Sequence, residues 1–373
     1  MRILHLSKFY RPDPGGLEHV VEQLAEGAAA RGNQVRVIAA TGSGWMRDPK
    51  RRITEPPRGN VVVVRIPTYG VRWSQPIAPG YLAAARYPAD VAHVHHPHPL
   101  ADLSTVLSVR APYVVTQHSD IRRQLLAKPF YWPLVRHVLH YSAAIVVPTE
   151  AHVRACPEIR GYENKIRVIP FGVDLQRFTP RVHPERPATF PDGDAPVALF
   201  VGRLVGYKGL GVLLDAVRGT SLRVVIVGDG PERGVLEARV ASEGLAGQVR
   251  LAGSVSDEEL PAYYQAADYF VLPSLTAAEM FGIVLLEAMA LGKPVITTAL
   301  ETGVREVNRA GETGLEVPVG DAAALRAAME RLAGDAELRR RLGGAGRRRV
   351  EERFTLERMI EGHLALYDAV RRR

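Results

Sequence analysis

An alternation that runs through the first half of the chain, breaks once and then starts again constrains the fold more than any other feature. Residues 2–7 form a short apolar run, a loop follows through Gly15-Gly16, and Leu17, Val20, Val21, Leu24, Ala25 and Ala28 then recur at helical spacing. Arg31-Gly32-Asn33 stops that helix and residues 35–39 read as a strand, giving a βαβ unit that opens a parallel sheet. Strand-like runs follow at 61–66, 91–94, 113–116, 144–147 and 166–169. From Phe178 to Pro196 the chain is rich in proline and poor in periodicity, the composition of a linker. Strands are then expected at 197–201, 222–227, 249–251, 269–272, 295–297 and 314–317, with helices near 209–217, 232–243 and 257–266 and another from Asp321.

A chain of 373 residues exceeds the size at which one core stops growing. The alternation therefore predicts an α/β protein of two doubly wound domains, 1–178 and 197–355, joined by a linker at 179–196. In such sheets ligands sit at the carboxyl ends of the strands, and with two domains the cleft between them is the expected site. Apolar residues at 46% and charged residues at 24% are those of an ordinary soluble globular protein. The lone cysteine, Cys156, excludes an intrachain disulfide framework and suits a reducing compartment. The run at Met1–Leu6 is too short for a signal peptide, and no stretch approaches the roughly 18 uninterrupted apolar residues of a membrane span, so a cytoplasmic location is expected. The net charge of +8 would suit a phosphorylated ligand, nucleic acid or an anionic membrane. Much of it lies in arginine tracts at 339–341, 347–349 and 371–373, interleaved with Glu351, Glu352 and Glu357, which read as solvated helix faces.

One of the most apolar stretches, Glu279 to Pro294, carries two glutamates, Glu279 and Glu287. A carboxylate buried beside Phe281, Ile283, Val284, Leu285 and Leu286 costs several kcal/mol unless it is satisfied, so each acid either reaches solvent or has a partner. Glu279 falls in a strand-to-helix loop, Gly282 in the first helical turn, and Glu287 on the helix itself. The N–H groups of Phe281, Gly282 and Ile283 expected at that helix start, with the positive end of the helix dipole, would favour a phosphate there. Glu279 would then accept from sugar hydroxyls and Glu287 from a ribose; the plainer alternative is one acid favourable near a helix start and one extended to solvent.

Other motifs stand at strand ends. Arg203 and Lys208, in Gly202-Arg203-Leu204 and Lys208-Gly209, would clamp a diphosphate and neutralise a leaving group, or sit on a flexible surface turn. Gly228-Asp229-Gly230-Pro231 looks like a dinucleotide fingerprint, but Gly234 comes one position too late, so a tight turn is the plainer reading. Gly15 and Gly16 would let a ligand approach the backbone at the head of the first helix. His118 ends a strand, where a histidine is catalytic or structural. His93, His95, His96 and His98 suggest a metal, yet a strand followed by a proline-broken loop does not bring them to one ion. Asp192-Gly193-Asp194 reads as a solvated turn.

Taken in order, the Gly15-Gly16 loop, His118, Ile169-Pro170-Phe171-Gly172-Val173-Asp174, Gly202-Arg203 with Lys208-Gly209, Gly228-Asp229-Gly230-Pro231 and the E-x7-E of Glu279 and Glu287 resemble glycosyltransferase family four, retaining enzymes of the GT-B fold. The resemblance covers essentially the whole chain. It implies two Rossmann-like domains, with a C-terminal helix of about 356–373 returning to the first. It also implies that Glu279 and the Phe281-Gly282-Ile283 backbone hold the donor hexose and its phosphate, that Glu287 holds the ribose, and that Arg203 and Lys208 hold the diphosphate. Gly15-Gly16 would close on the donor, Gly253 to Val255 border the base, and His118 lie beside the transferred sugar. Phe171 departs from the family, which often has asparagine there.

The implied reaction passes a hexosyl group from a nucleotide sugar to an acceptor hydroxyl with retention, by front-face attack, needing no metal and no other cofactor. The stretch from His95 through Arg123 looks like bacterial enzymes of O-antigen and exopolysaccharide assembly, many using GDP-mannose, with a glycan or lipid-linked acceptor. Arg122, Arg123, Lys128, Phe130, Tyr131, Trp132 and Arg136 would suit peripheral contact with an anionic membrane, or form a helix and turn packed within the domain with exposed basic residues. A UDP-sugar donor with a small-molecule or lipid acceptor, and a nucleotide-sugar epimerase, are the alternatives. No pyridoxal-phosphate lysine motif points to a phosphorylase, and the imperfect glycine turn alone supports a dehydrogenase. No recognition motif points to nucleic acid.

Overall fold

Each apolar run of the first half becomes a strand: β1 (Arg2–Leu6), β2 (Gln34–Ala40), β3 (Ile53–Thr54), β4 (Val61–Ile66), the short ribbon β5 (Val71–Arg72) and β6 (Gln75–Pro76), β7 (Val91–His96), β8 (Tyr113–Gln117), β9 (Ala144–Val147) and β10 (Ile166–Val168). Except for the ribbon they form one sheet in the order β10-β9-β8-β7-β1-β2-β4-β3, parallel apart from the edge strand β3. Near-continuous valine and isoleucine runs are what a parallel sheet covered on both faces demands. Val21, Ala25 and Ala28 of the helix Gly16–Ala30 pack with Ile3, Val35, Val37 and Val91, and Tyr367 and Val370 of the C-terminal helix Leu356–Arg371 join the same core.

The second half supplies β11 (Val197–Val201), β12 (Arg223–Val227), β13 (Val249–Gly253), β14 (Tyr269–Leu272), β15 (Val295–Thr298) and β16 (Gly314–Val317). All pair in parallel in the order β13-β12-β11-β14-β15-β16. That is the 3-2-1-4-5-6 order of a Rossmann sheet, and the strand order reverses between β11 and β14. In the first sheet it reverses between β1 and β7. Ligands in open α/β sheets bind outside the carboxyl ends of the strands at such reversals.

The computed structural model describes residues 1–13, 15–41, 53–55, 57–72, 75–118, 128–180 and 186–372. They divide into Met1–Phe171 with Leu356–Arg373, and Gly172–Thr355. The expected boundary at 178 and the free linker at 179–196 are thereby corrected. The Val173 N–H donates to the Phe354 carbonyl at 2.9 Å, and Arg177 meets Asp257 at 3.1 Å. Phe178 and Phe190 are buried against Tyr264 and Tyr263, each with ring centroids 5.8 Å apart, so apolar anchors bind this proline-rich stretch to the second unit. Strand β7 runs two residues past its expected end, which keeps His95 and His96 on the strand. The helix expected from Asp257 begins at Leu260. Among the described residues no helix is long and apolar enough to cross a membrane.

Candidate active site at the strand-order reversals

In the second unit, the chain leaving β11 and the chain leaving β14 are locked together. Gly209 takes a left-handed φ of 73°, and a Cβ there would lie 2.0 Å from the Pro273 carbonyl oxygen, so only glycine allows the approach. The Leu275 N–H donates to the Tyr207 carbonyl at 2.7 Å. This apposition places Lys208 Nζ 2.6 Å from Glu279 Oε2, with Ser274 Oγ donating to the same oxygen at 3.0 Å. Both partners are buried. Burial pulls the Lys208 pKa down, but the Glu279 charge and hydrogen bond outweigh it and the net direction is up, so the ammonium is retained. Its three N–H donors include one committed to Glu279, leaving two for a ligand. Glu279 Oε1 makes no hydrogen bond among the described residues.

Arg203 lies five residues before Lys208 and is exposed, and its side chain makes no ion pair or hydrogen bond among the described residues. Its backbone is fixed instead. The Gly202 N–H donates to the Val227 carbonyl at 3.0 Å and the Leu204 N–H to the Asp229 carbonyl at 2.9 Å. A Cβ on Gly228 would lie 2.0 Å from the Gly202 carbonyl oxygen. Gly228-Asp229-Gly230 is therefore the turn against which the Arg203 loop is laid, the plainer of its two sequence readings.

Glu287 does not extend to solvent. It lies on the helix Ile283–Ala290, buried, and its Oε2 accepts from the Tyr264 hydroxyl at 2.6 Å. Burial, and then the Glu287 charge, push the Tyr264 pKa well up, so the phenol stays a donor. Gly282 caps that helix in a left-handed conformation with no side-chain cap, and Phe281 before it is buried. An N-terminus of this kind at a strand-order reversal is suited to an anion. Gly253 closes β13, its carbonyl accepting from the Gly228 N–H at 2.8 Å, and Val255 is half-buried.

In the first unit, Gly15 and Gly16 are exposed at the start of the helix that follows β1, again with no side-chain cap. The loop before them is held by Arg65 of β4, fully buried, which donates to the Tyr10 carbonyl at 3.1 Å and to the Arg11 carbonyl and pairs with Glu55. His118 directly follows β8; its N–H donates to the His96 carbonyl at 3.1 Å, and its ring stacks on Phe171 with centroids 5.6 Å apart. Phe171, where family members often carry asparagine, thus packs against the histidine.

The strand histidines require a correction. His93 and His95 share a face of β7 and meet His5 of the adjacent β1, with one ring nitrogen from each within 4.8 Å of the others. By distance alone these three would reach a shared ion. All of their nitrogens but His5 Nε2 are occupied within the protein, with no carboxylate in the set: His95 meets His5 and His118 at 3.0 Å each, and His93 meets Thr116 and Tyr367 at 2.6 Å each. His96 turns away to Asp102 at 3.0 Å and Gln117 at 2.7 Å. The Tyr131 hydroxyl donates to that same Asp102, so Tyr131 belongs to this buried network and not to a membrane-facing surface. Arg136 is exposed; Arg122 and Arg123, and the side chains of Lys128 and Phe130, lie outside the described residues.

Residues 14–177 match the family model for Glycosyltransferase Family 4, and residues 183–349 that for glycosyl transferases group 1. The D-rhamnosyltransferase WbpZ of Pseudomonas aeruginosa is 36% identical over 362 residues, covering 95% of this chain and 92% of the relative. The chain belongs to glycosyltransferase family 4. A second relative, the O-antigen chain mannosyltransferase C of Escherichia coli, is 34% identical over 378 residues, 98% of each chain. A sucrose-phosphate synthase from Thermosynechococcus elongatus superposes with a TM-score of 0.82 at 25% identity, covering 99% of this chain and 98% of that one. The protein is a glycosyltransferase with the GT-B fold. Sequence reasoning missed Ser274 and Tyr264, which satisfy the two glutamates, and His5, which bonds to His95. It singled out His95 only as a candidate metal ligand and Phe171 only as a departure from the family pattern, not as the two side chains that meet the His118 ring.

Proposed function

We propose that the enzyme transfers mannose from GDP-mannose to a hydroxyl of a glycan or lipid-linked acceptor in the assembly of a cell-surface polysaccharide, with retention and without a metal ion. The observation that carries this reading is the buried Lys208–Glu279 pair beside exposed Arg203, at the carboxyl ends of β11 and β14 and next to an uncapped helix N-terminus. Lys208, Arg203 and the N–H groups at Phe281, Gly282 and Ile283 together offset the charge that develops as a diphosphate departs. Glu279 Oε1 accepts from a hydroxyl of the donor hexose, and Glu287, steadied by Tyr264, from the ribose. Gly253 to Val255 border the base. In the first unit the backbone at Gly15 and Gly16 meets anionic oxygen, and His118 meets a sugar hydroxyl.

The bond from the anomeric carbon to the diphosphate oxygen breaks while the bond to the acceptor oxygen forms on the same face. The acceptor proton passes to the departing phosphate oxygen, and GDP leaves. Orientation and leaving-group stabilisation are then the whole of the protein's task. The name of the E. coli relative, an O-antigen chain mannosyltransferase, supports both a polysaccharide product and mannose.

Incubation with GDP-mannose, and separately with UDP-glucose, and a mannoside acceptor in EDTA tests the proposal. The expected product is an α-mannoside from GDP-mannose alone, identified by its one-bond C1–H1 coupling. Transfer only from UDP-glucose would overturn the donor, a β-linked product the stereochemistry, and strict dependence on added metal the metal-free mechanism.

A further inference from the structure

His118 is the end of a chain of three imidazoles. His5 Nδ1 lies 3.0 Å from His95 Nε2, and His95 Nδ1 lies 3.0 Å from His118 Nε2. His5 and His95 are buried, and the three rings stand at the carboxyl ends of β1, β7 and β8. Burial pushes the pKa of His5 and His118 down to about 3 and that of His95 well below its ordinary value, so all three are neutral at working pH. A neutral imidazole has one N–H and one lone pair, and each contact in the chain needs one of each. Only two arrangements satisfy both contacts, with every ring donating toward His118 or every ring donating away from it.

The buried end decides between them. His5 Nε2 has no hydrogen-bond partner. Were the chain to run away from His118, that nitrogen would carry an N–H stranded in the core, a rarer defect than an unmet acceptor. The cheaper arrangement leaves it a bare lone pair and places the His5 proton on Nδ1. His5 then donates to His95, His95 donates to His118 Nε2, and the only remaining place for the His118 proton is Nδ1, which makes no hydrogen bond among the described residues.

We propose that His5 and His95 are positioning residues that fix His118 as its Nδ1–H tautomer, so that it presents a hydrogen-bond donor to its ligand. That the recipient is a sugar hydroxyl rests on the glycosyl-transfer reading; the tautomer does not.

Long-range 15N–1H correlation NMR on the whole protein labelled with 15N-histidine reads the tautomer directly. The expected spectrum at pH 7.5 shows His118 with a protonated Nδ1 and an unprotonated Nε2. In His95→Leu that preference is lost, and kcat/KM for the donor falls roughly tenfold, the scale of one neutral hydrogen bond. A wild-type His118 protonated at Nε2 overturns the proposal without any variant. An unchanged tautomer in folded His95→Leu overturns the role of His95. The expected tautomer in a protein with no transfer activity would refute the glycosyl-transfer reading and leave the chain of histidines standing.

Discussion

Lys208→Ala is expected to lower kcat/KM by roughly a hundredfold or more, the scale for removing a preorganised charge-stabilising donor. It should also cost the second unit roughly 3–5 kcal/mol of stability, because Glu279 would remain buried without the cation 2.6 Å away. Arg203→Ala is expected to match the kinetic loss at almost no cost in stability, since that side chain is exposed and engages no protein partner among the described residues. Steady-state kinetics and urea unfolding of both variants check this. Near-wild-type turnover in both would remove the diphosphate assignment, and a stability loss in Arg203→Ala equal to that in Lys208→Ala would contradict the structural distinction between them. Glu279→Gln in the Lys208→Ala background should restore much of the stability and none of the activity.

The first unit is expected to unfold in mild acid while the second stays folded. Every histidine but His183 lies in the first unit. Burial pushes His5, His98 and His118 down to about 3 and His152 and His363 down to about 4, and takes His93 and His95 well below the usual value. In the unfolded chain they titrate near 6.5. Between pH 6.5 and about 4 the unfolded state therefore holds protons that the folded state refuses, and stability falls on acidification by up to about 1.4 kcal/mol per pH unit for each such group. His96 has the opposite sign. Burial pulls its pKa down, but Asp102 and then Gln117 raise it on balance, so its contribution is complete below pH 6.5 and is lost as pH rises through the folded value.

All three tryptophans, Trp45, Trp73 and Trp132, also lie in the first unit, so their fluorescence reports on it alone. Fluorescence should change at higher pH than the last part of the far-UV circular dichroism. Coincident transitions would contradict the account.

The strands were legible because a buried parallel sheet requires near-continuous apolar runs, and positions 197–201, 269–272 and 314–317 need no tertiary information to read. The location of Arg203, Lys208 and Glu279 at strand ends followed from the same runs. What pairs across the sheet was not legible. His5, the His93 and His95 of one strand, and His118 are far apart in sequence, and only the adjacency of β1, β7 and β8 brings their rings together. The partner of Glu287 is Tyr264, on a different helix, so spacing along its own helix carried no trace of it. The domain boundary was misplaced because proline content speaks of local backbone, whereas Phe178 and Phe190 bind that stretch to the second unit by packing.

The central claim is that the second unit holds a guanosine diphosphate sugar through Arg203, Lys208, Glu279 and Glu287. Thermal unfolding with GDP or UDP in EDTA, for wild type and Glu287→Ala, tests it most directly. Ligand at about 100 times its Kd adds roughly 2.7 kcal/mol, enough to move the midpoint by a few degrees. The expected result is a shift with GDP, little with UDP, and none in Glu287→Ala; no shift in the wild type with either nucleotide would contradict the claim.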